Sequence, residues 1–364
     1  MMWFFLIAAA ALLIAAGTVY TVRRMHRIPA LLTLGKKHRL LSWLLAALPA
    51  ALSCVFFIFN LTTVLVVLLH LILFVLLCDL FGWLWTKLHK RPARYGLRYG
   101  TALVLTAVYL AIGWFTAHHV FVTRYTFASD KLTAPMRIVE IADSHLGITL
   151  DRTNFPKEMA RIQAEQPDAV VVVGDFVDDD SDRADMLAAC ESLGRLQTTY
   201  GVYFVYGNHD EGYGDYRNFT AAELKDALTQ NGVVILEDEA MPLGNECTLI
   251  GRLDRSFSSR LPIAALTECA DAARYTVVLD HQPNDYAAEA AAGADLVLSG
   301  HTHGGHIFPA GQIGLWIGVN DFLYGTTRRG TTDFVVTSGI SGWAIPFKTG
   351  TFSEYVVIDL VPKD

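Results

Sequence analysis

Four long apolar runs constrain this chain more than any other feature. Residues 2–22, 40–59 and 99–122 contain no Asp, Glu, Lys or Arg, and residues 61–86 contain only Asp79. About 20 apolar residues in helical form cross the hydrocarbon core of a bilayer. There every backbone polar group must be satisfied within the protein, so each run is expected to be a transmembrane helix. A cleaved signal peptide carries its positive charge before the apolar stretch, whereas Arg23, Arg24 and Arg27 follow the first run. An uncleaved helix is therefore expected there. Pro49 should kink the second helix, and Asn60, Thr62 and Thr63 suit a tight hairpin between the second and third.

Charge divides the chain in the same way. Residues 1–123 hold eleven of the 29 Lys/Arg and one of the 36 acidic residues, a net of +10. Residues 124–364 carry a net of −17. An anchor over 1–123 and a globular domain over 124–364 are expected. An acidic domain repels nucleic acid, which argues against that partner. The eleven basic residues all fall in 23–39 and 87–98, and positive loops stay in the cytoplasm. This places the N-terminus and the globular domain outside, as a multi-pass protein with an extracytoplasmic domain. His70 and Asp79 lie within the third run. Asp79 should reach the interface and His70 should bond a neighbouring helix, since no second acid accompanies them to build a relay.

The globular part alternates β-rich and helical stretches. Strands are expected at 136–142, 169–173, 202–206, 233–236, 248–251, 275–280, 295–299, 333–337 and 354–360. Helices are expected at 154–165, 183–197, 220–230 and 285–292. Alternation of this kind specifies an α/β domain. Cys190, Cys247 and Cys269 are an odd three with no zinc spacing, and Cys54 and Cys78 sit in apolar runs. All five read as small buried hydrophobes.

Five segments place Asp, Asn or His at or just past strand ends. They are Asp143-Ser144-His145, Gly174-Asp175-Phe176-Val177-Asp178, Gly207-Asn208-His209-Asp210, Asp280-His281 and Gly300-His301-Thr302-His303. The six histidines after residue 123 all belong to these segments or, for His306, follow one directly. Oxygen and imidazole donors without thiolate suit Mn, Fe or Zn. There are too many for one ion. Two divalent metal ions sharing a carboxylate fit the number, and such a pair clamps the oxygens of a phosphoryl group.

In this order the five segments resemble the calcineurin-like metallophosphoesterase superfamily, over about 136–362. The run 300–306 and the tail from Thr337-Ser338-Gly339 through Pro346-Phe347 to Glu354-Tyr355 look like its bacterial membrane-anchored branch. The resemblance implies a four-layer αββα sandwich with metals above the strand ends, in a protein of the bacterial inner membrane. It implies that Asp143, His145 and His303 bind one metal, that Asn208, His281 and His301 bind the other, and that Asp175 bridges them. His209 would face the phosphate, with Asp210 orienting its ring, and Asp178 would support the loop.

His306 stands where the branch usually has Gln, and Lys348 where Arg is expected. Lys keeps the charge but loses bidentate phosphate binding. The reading is a dinuclear, metal-dependent hydrolase of a phosphate mono- or diester, manganese among the candidate metals. Its substrate is expected to be lipid-linked, because the short link after the fourth run keeps the domain near the bilayer. A pyrophosphohydrolase of lipid A synthesis acting on a UDP-linked lipid needs a cytosolic site, against the charge-based topology. A non-catalytic sensor of a phosphate ligand would tolerate lost ligands, yet every ligand position is filled.

Overall fold

The computed structural model describes residues 2–91, 94–214, 216–268 and 270–363, with the side chains of 2–10 left aside. Cys269 and part of the basic loop 87–98 therefore lie outside the described residues. The chain forms two compact units, residues 1–112 and 113–364. The boundary expected at 123/124 falls inside a strand, described below.

The first unit is helical: α1 (Met2–Met25), α2 (Pro29–Lys37), α3 (Arg39–Leu52), α4 (Leu61–His89) and α5 (Tyr95–His118). A 3₁₀ turn, Ser53–Ile58, extends α3 beyond Pro49. Asn60 caps α4 by accepting from the Thr63 amide at 2.8 Å, so the polar break between runs is a helix start. Among the described residues three helical stretches are long and apolar enough to cross a membrane: Arg39–Ile58, Leu61–His89 and Tyr95–His118.

Asp79, expected to reach the interface, makes its contacts with groups near the basic ends of α1 and α5. It is buried, accepts from Tyr20 at 2.7 Å and Tyr99 at 2.8 Å, and pairs with Arg98 at 2.9 Å and Arg24 at 3.0 Å. An isolated buried carboxylate is costly, and these partners remove that cost. His70 bonds the Val66 carbonyl of its own helix at 2.8 Å and lies 5.5 Å from the Tyr109 ring.

The second unit holds twelve strands among the described residues: β1 (Val120–Ser129), β2 (Met136–Ile141), β3 (Ala169–Val173), β4 (Gly201–Val205), β5 (Val234–Ile235), β6 (Glu239–Leu243), β7 (Cys247–Gly251), β8 (Tyr275–Leu279), β9 (Leu296–Ser299), β10 (Gly325–Arg329), β11 (Thr332–Val336) and β12 (Ser353–Pro362). They form two six-stranded sheets, ordered β1-β12-β2-β3-β4-β5 and β10-β11-β9-β8-β7-β6. Its helices are α6 (Phe155–Ala164), α7 (Arg183–Gly194), α8 (Ala221–Gln230), α9 (Ile263–Thr267), α10 (Tyr286–Ala291) and α11 (Ala310–Trp316). Asp182 caps α7, and Thr220 with Glu223 forms a capping box on α8.

Strand periodicity assigns each residue to a face. Val139 and Ile141 of β2 join a core with Met159 of α6 and Leu193 of α7. Ile138 and Ala142 join another core, with Leu249, Val277 and Leu298 from the second sheet. Tyr286 of α10 and Val278 of β8 belong to a third. Strands β2 to β5 run parallel, as do β7, β8, β9 and β11. Crevices at the carboxyl ends of parallel strands are where α/β folds place their sites.

β1, β6 and β10 were not expected. β1 pairs with β12 in parallel and begins inside the fourth apolar run, where its residues read as more helix. β6 and β10 are edge strands carrying a proline and two arginines respectively, with weak apolar alternation.

Candidate metal centre

Each expected site segment lies just beyond the carboxyl end of a strand. Asp143 follows β2, Asp175 follows β3, Asn208 follows β4, His281 follows β8 and His301 follows β9. Six non-glycine residues here take left-handed backbone: Asp143 (φ 54°), His145 (33°), Asp175 (51°), His301 (68°), His303 (47°) and His306 (39°). Each such residue costs roughly 1–3 kcal/mol, and the cost is borne only where packing over-determines it. Glycines make room. A Cβ at Gly174 (φ 76°) would lie 2.5 Å from His281 Nδ1 and 2.7 Å from the Gly207 Cα. One at Gly207 would overlap the Asp175 carboxylate.

The structure brings all the expected residues together. The donor atoms of Asp143, His145 and His303 lie within 4.8 Å of one another, and so do those of Asp175, His281 and His301. Asn208 borders the same cleft, its Oδ1 buried with no hydrogen bond while Nδ2 donates to Tyr213 at 2.8 Å. Asp143 Oδ2 and the Nδ1 atoms of His301 and His303 are likewise buried without a hydrogen-bond partner.

The bonding fixes the orientation of two imidazoles. His145 Nδ1 lies 3.0 Å from Asp178 Oδ2, an acceptor, so Nδ1 carries the hydrogen. Its Nε2 lone pair then points inward, 3.1 Å from His303 Nε2 and 3.6 Å from Asp175 Oδ2. His281 Nδ1 donates to the Val173 carbonyl at 2.8 Å, leaving Nε2 3.1 Å from Asp175 Oδ2. Burial lowers the His281 imidazole, but the Asp175 and Asp143 carboxylates outweigh it and raise it well above its ordinary value, so positive charge belongs at Nε2, as a proton or as a cation in its place. This donor set fits divalent ions, and the imidazoles of His145 and His281 are each held by a partner behind them.

His145, Asp178 and His209 form a third close group. Here both imidazoles direct Nδ1 at Asp178, from 3.0 and 3.1 Å. A carboxylate between two N–H donors needs no cation. Burial pushes the Asp178 carboxyl up, but the hydrogen bonds from His145 and His209 outweigh it and hold it below the ordinary carboxylate range.

This arrangement corrects the role expected of Asp210. Its two oxygens accept from four backbone amides: Asp175 at 2.9, Phe176 at 2.8, Val177 at 3.1 and Gly207 at 2.7 Å. It ties the β3 and β4 loops together, and Asp178 orients His209 instead. Sequence adjacency misleads here because neighbouring side chains on a loop point apart.

Lys348 is also corrected. It is buried, and Nζ donates to the carbonyls of Ser338 at 2.6 Å, Gly339 at 3.1 Å and Phe352 at 3.4 Å, so it braces a turn and does not line the cleft. Burial pulls its amine down to about 7, against the pull of Asp143 and Glu354. The His306 ring lies 5.3 Å from that of His303, tilted by 35°, and does not line the cleft either.

The cleft itself is open, about 650 Å³, bordered by His145, Asp175, Asn208, His209, His301 and His303. Sequence reasoning missed its aromatic rim. Tyr213 and Trp343 lie 5.1 and 5.6 Å from the His209 ring. Asp179 and Asp180 complete the border.

The calcineurin-like phosphoesterase family model matches residues 136–305. An uncharacterized metallophosphoesterase of Aquifex aeolicus is 32% identical over 200 residues, 52% of this chain and 72% of the relative. One from Helicobacter pylori strain J99 is 29% identical over 240 residues, 65% of this chain and 62% of the relative. A transmembrane protein with metallophosphoesterase domain from Bos taurus is 27% identical over 281 residues, 72% of this chain and 62% of its own. The chain thus spans 62% of the length of the last two. Among solved structures, a dimetal phosphatase from Danio rerio aligns at 13% identity over 57% of this chain and 87% of its own, with a TM-score of 0.36. The chain belongs to the calcineurin-like metallophosphoesterase family.

Proposed function

We propose that this protein is a membrane-anchored, dinuclear phosphoesterase that hydrolyses a phosphate mono- or diester, lipid-linked, at the outer face of a bacterial inner membrane. The observation that carries the reading is the pair of donor triads with Asp175 between them, its Oδ2 3.6 Å from His145 Nε2 and 3.1 Å from His281 Nε2. Asp143, His145 and His303 would hold one ion, Asn208, His281 and His301 the other, and Asp175 would bridge them. Bound there, two divalent cations would supply positive charge for the phosphoryl oxygens and acidify the attacking water.

The chain's own residues do the rest. Asp178 holds His209 through Nδ1, which leaves Nε2 as the nitrogen available to a bound group. From there His209 would hold a proton for the leaving oxygen or stabilise developing negative charge. The three cores, each joining a different pair of layers, support an αββα arrangement. The basic loops 23–39 and 87–98 support a four-helix anchor with the site outside.

The test is hydrolysis by the full chain in lipid nanodiscs. Nitrophenyl mono- and diesters and phospholipids would be compared with Mn, Zn and Mg. Metal-dependent turnover of at least one ester class is expected. No turnover with any metal at full occupancy of both sites rejects the reading. Reporter fusions after residue 130 should be active only with an extracytoplasmic marker, and a cytoplasmic signal reverses the orientation.

A further inference from the structure

Directly after the histidine loop, residues 307–320 carry no charged side chain. They hold α11, which buries none of its residues. Trp316 is 78% exposed, Ile317 72%, Val319 53%, and Phe308 and Ile313 47% each. Soluble surfaces rarely gather this many large apolar groups, so the patch marks a contact with something apolar.

The end of α5 indicates what that is. Thr116 donates to the Lys348 carbonyl at 2.7 Å, and the Lys348 amide donates to the Gly113 carbonyl at 2.9 Å. The next residue, Thr349, donates to the His306 carbonyl at 3.0 Å and accepts from the Phe308 amide at 3.3 Å. The apolar segment therefore starts two hydrogen-bonded steps from the last turn of a helix able to cross a membrane. Aromatic rings surround that turn. Trp114 packs on Phe347 with centroids 5.5 Å apart, Phe115 on Phe121 at 6.2 Å, and Phe121 on Phe352 at 5.1 Å. Trp114 and Phe115 remain 38% and 55% exposed. Aromatic belts of this kind mark the level where a chain leaves the bilayer.

We propose that residues 307–320 lie in the interfacial layer of the bilayer beside the end of α5, and that the cleft receives a phosphoester presented from that layer. An apolar helix face with aromatic anchors settles at the boundary of headgroups and acyl chains. The cleft is connected to the same level. Trp343 borders it, and Phe347, four residues on, packs on Trp114. The membrane contact stands on its own observations, whereas lipid presentation rests on the phosphoesterase reading.

The experiment uses the full chain in phosphatidylglycerol–phosphatidylethanolamine nanodiscs. Benzoylphenylalanine replaces Trp316 or, as a reference, Tyr200, which is exposed at the opposite end of the strands. Irradiation at position 316 should give a phospholipid adduct roughly tenfold above position 200. Equal adducts, or a cross-link from 316 to a second copy of the chain, overturn the membrane contact. In the double variant Trp316→Ser, Ile317→Ser, hydrolysis of a phospholipid should fall about tenfold relative to a soluble nitrophenyl ester. An equal change on both substrates overturns lipid presentation. If the unaltered chain hydrolyses neither ester, the phosphoesterase reading and lipid presentation fall together, and the cross-link still decides the membrane contact.

Discussion

The inner half of the site and its rim are built differently. Asp143, His145, Asp175 and His281 are almost wholly buried, follow strand ends directly, and three of the four have left-handed backbone. Tyr213 and Trp343 on the rim are 64% and 43% exposed and belong to the loops after β4 and β11. Donors buried this deeply have nowhere to turn when one is removed. Rim groups can be re-solvated, so their loss should be graded. On the proposed function, the inner half would hold the cations and the rim would meet the substrate.

The sharpest way to break this comparison is at its centre. Asp175 also accepts from the His209 amide at 2.9 Å, so it joins the two halves. Asp175→Asn should lower turnover to background and leave about one metal ion per chain, measured by elemental analysis of the purified full-length protein. Normal rate with two ions bound would remove the dinuclear assignment.

His209→Ala attacks the boundary between the halves. A group that donates a proton or stabilises charge contributes about 10²–10⁴-fold. Metal content should be unchanged, and nitrophenyl esters should suffer least, since their leaving group needs little protonation. A variant that loses metal makes His209 a ligand. Uniform loss on all esters with metals retained leaves only charge stabilisation.

Asp178→Asn should cost less, about 10–100-fold, as expected for a residue that orients ligands from behind. It carries both His145 and His209, so its effect divides between metal affinity and rate. In a His209→Ala background the rate effect should shrink while the metal effect persists, because one of its two partners is gone. Full additivity of the two substitutions would mean Asp178 does not act through His209.

Much of this contrast was legible in the sequence. The inner half was readable because donors of one chemical type recur beside glycines at strand ends, and imidazoles elsewhere in the acidic domain are absent. Strands β3, β8 and β9 were readable because buried parallel strands are short, largely apolar runs. Partner choice was not readable. Asp210 stands beside His209 in the chain yet serves four amides, and Asp178, further off, orients the ring. The resemblance set Lys348 where a phosphate-binding Arg is expected, whereas three carbonyls occupy it. The aromatic rim and the collar at the end of α5 come from residues far apart in sequence, so no local spacing announces them.

The smallest effect lies behind the inner half, at Glu140. It is on β2, three residues before Asp143, fully buried, and neither carboxyl oxygen has a hydrogen-bond partner. Burial, with the charges of Glu354 and Asp143 adding to it, raises this carboxyl well above its ordinary value of 4.5. The folded state therefore keeps the proton at a pH where the unfolded chain has released it. For a raised value the contribution to stability is fully present below the unfolded pKa and is lost as pH rises toward the folded one. The loss runs at up to about 1.4 kcal/mol per pH unit in that window. Glu140→Gln removes the titration and keeps the shape. In detergent, the full-length variant should match the parent or fall slightly below it near pH 4.5. It should then gain in unfolding temperature relative to the parent with each step toward pH 8. Parallel curves for the two proteins would mean Glu140 is ionised in the folded state, and would place a positive partner against the back of the inner half.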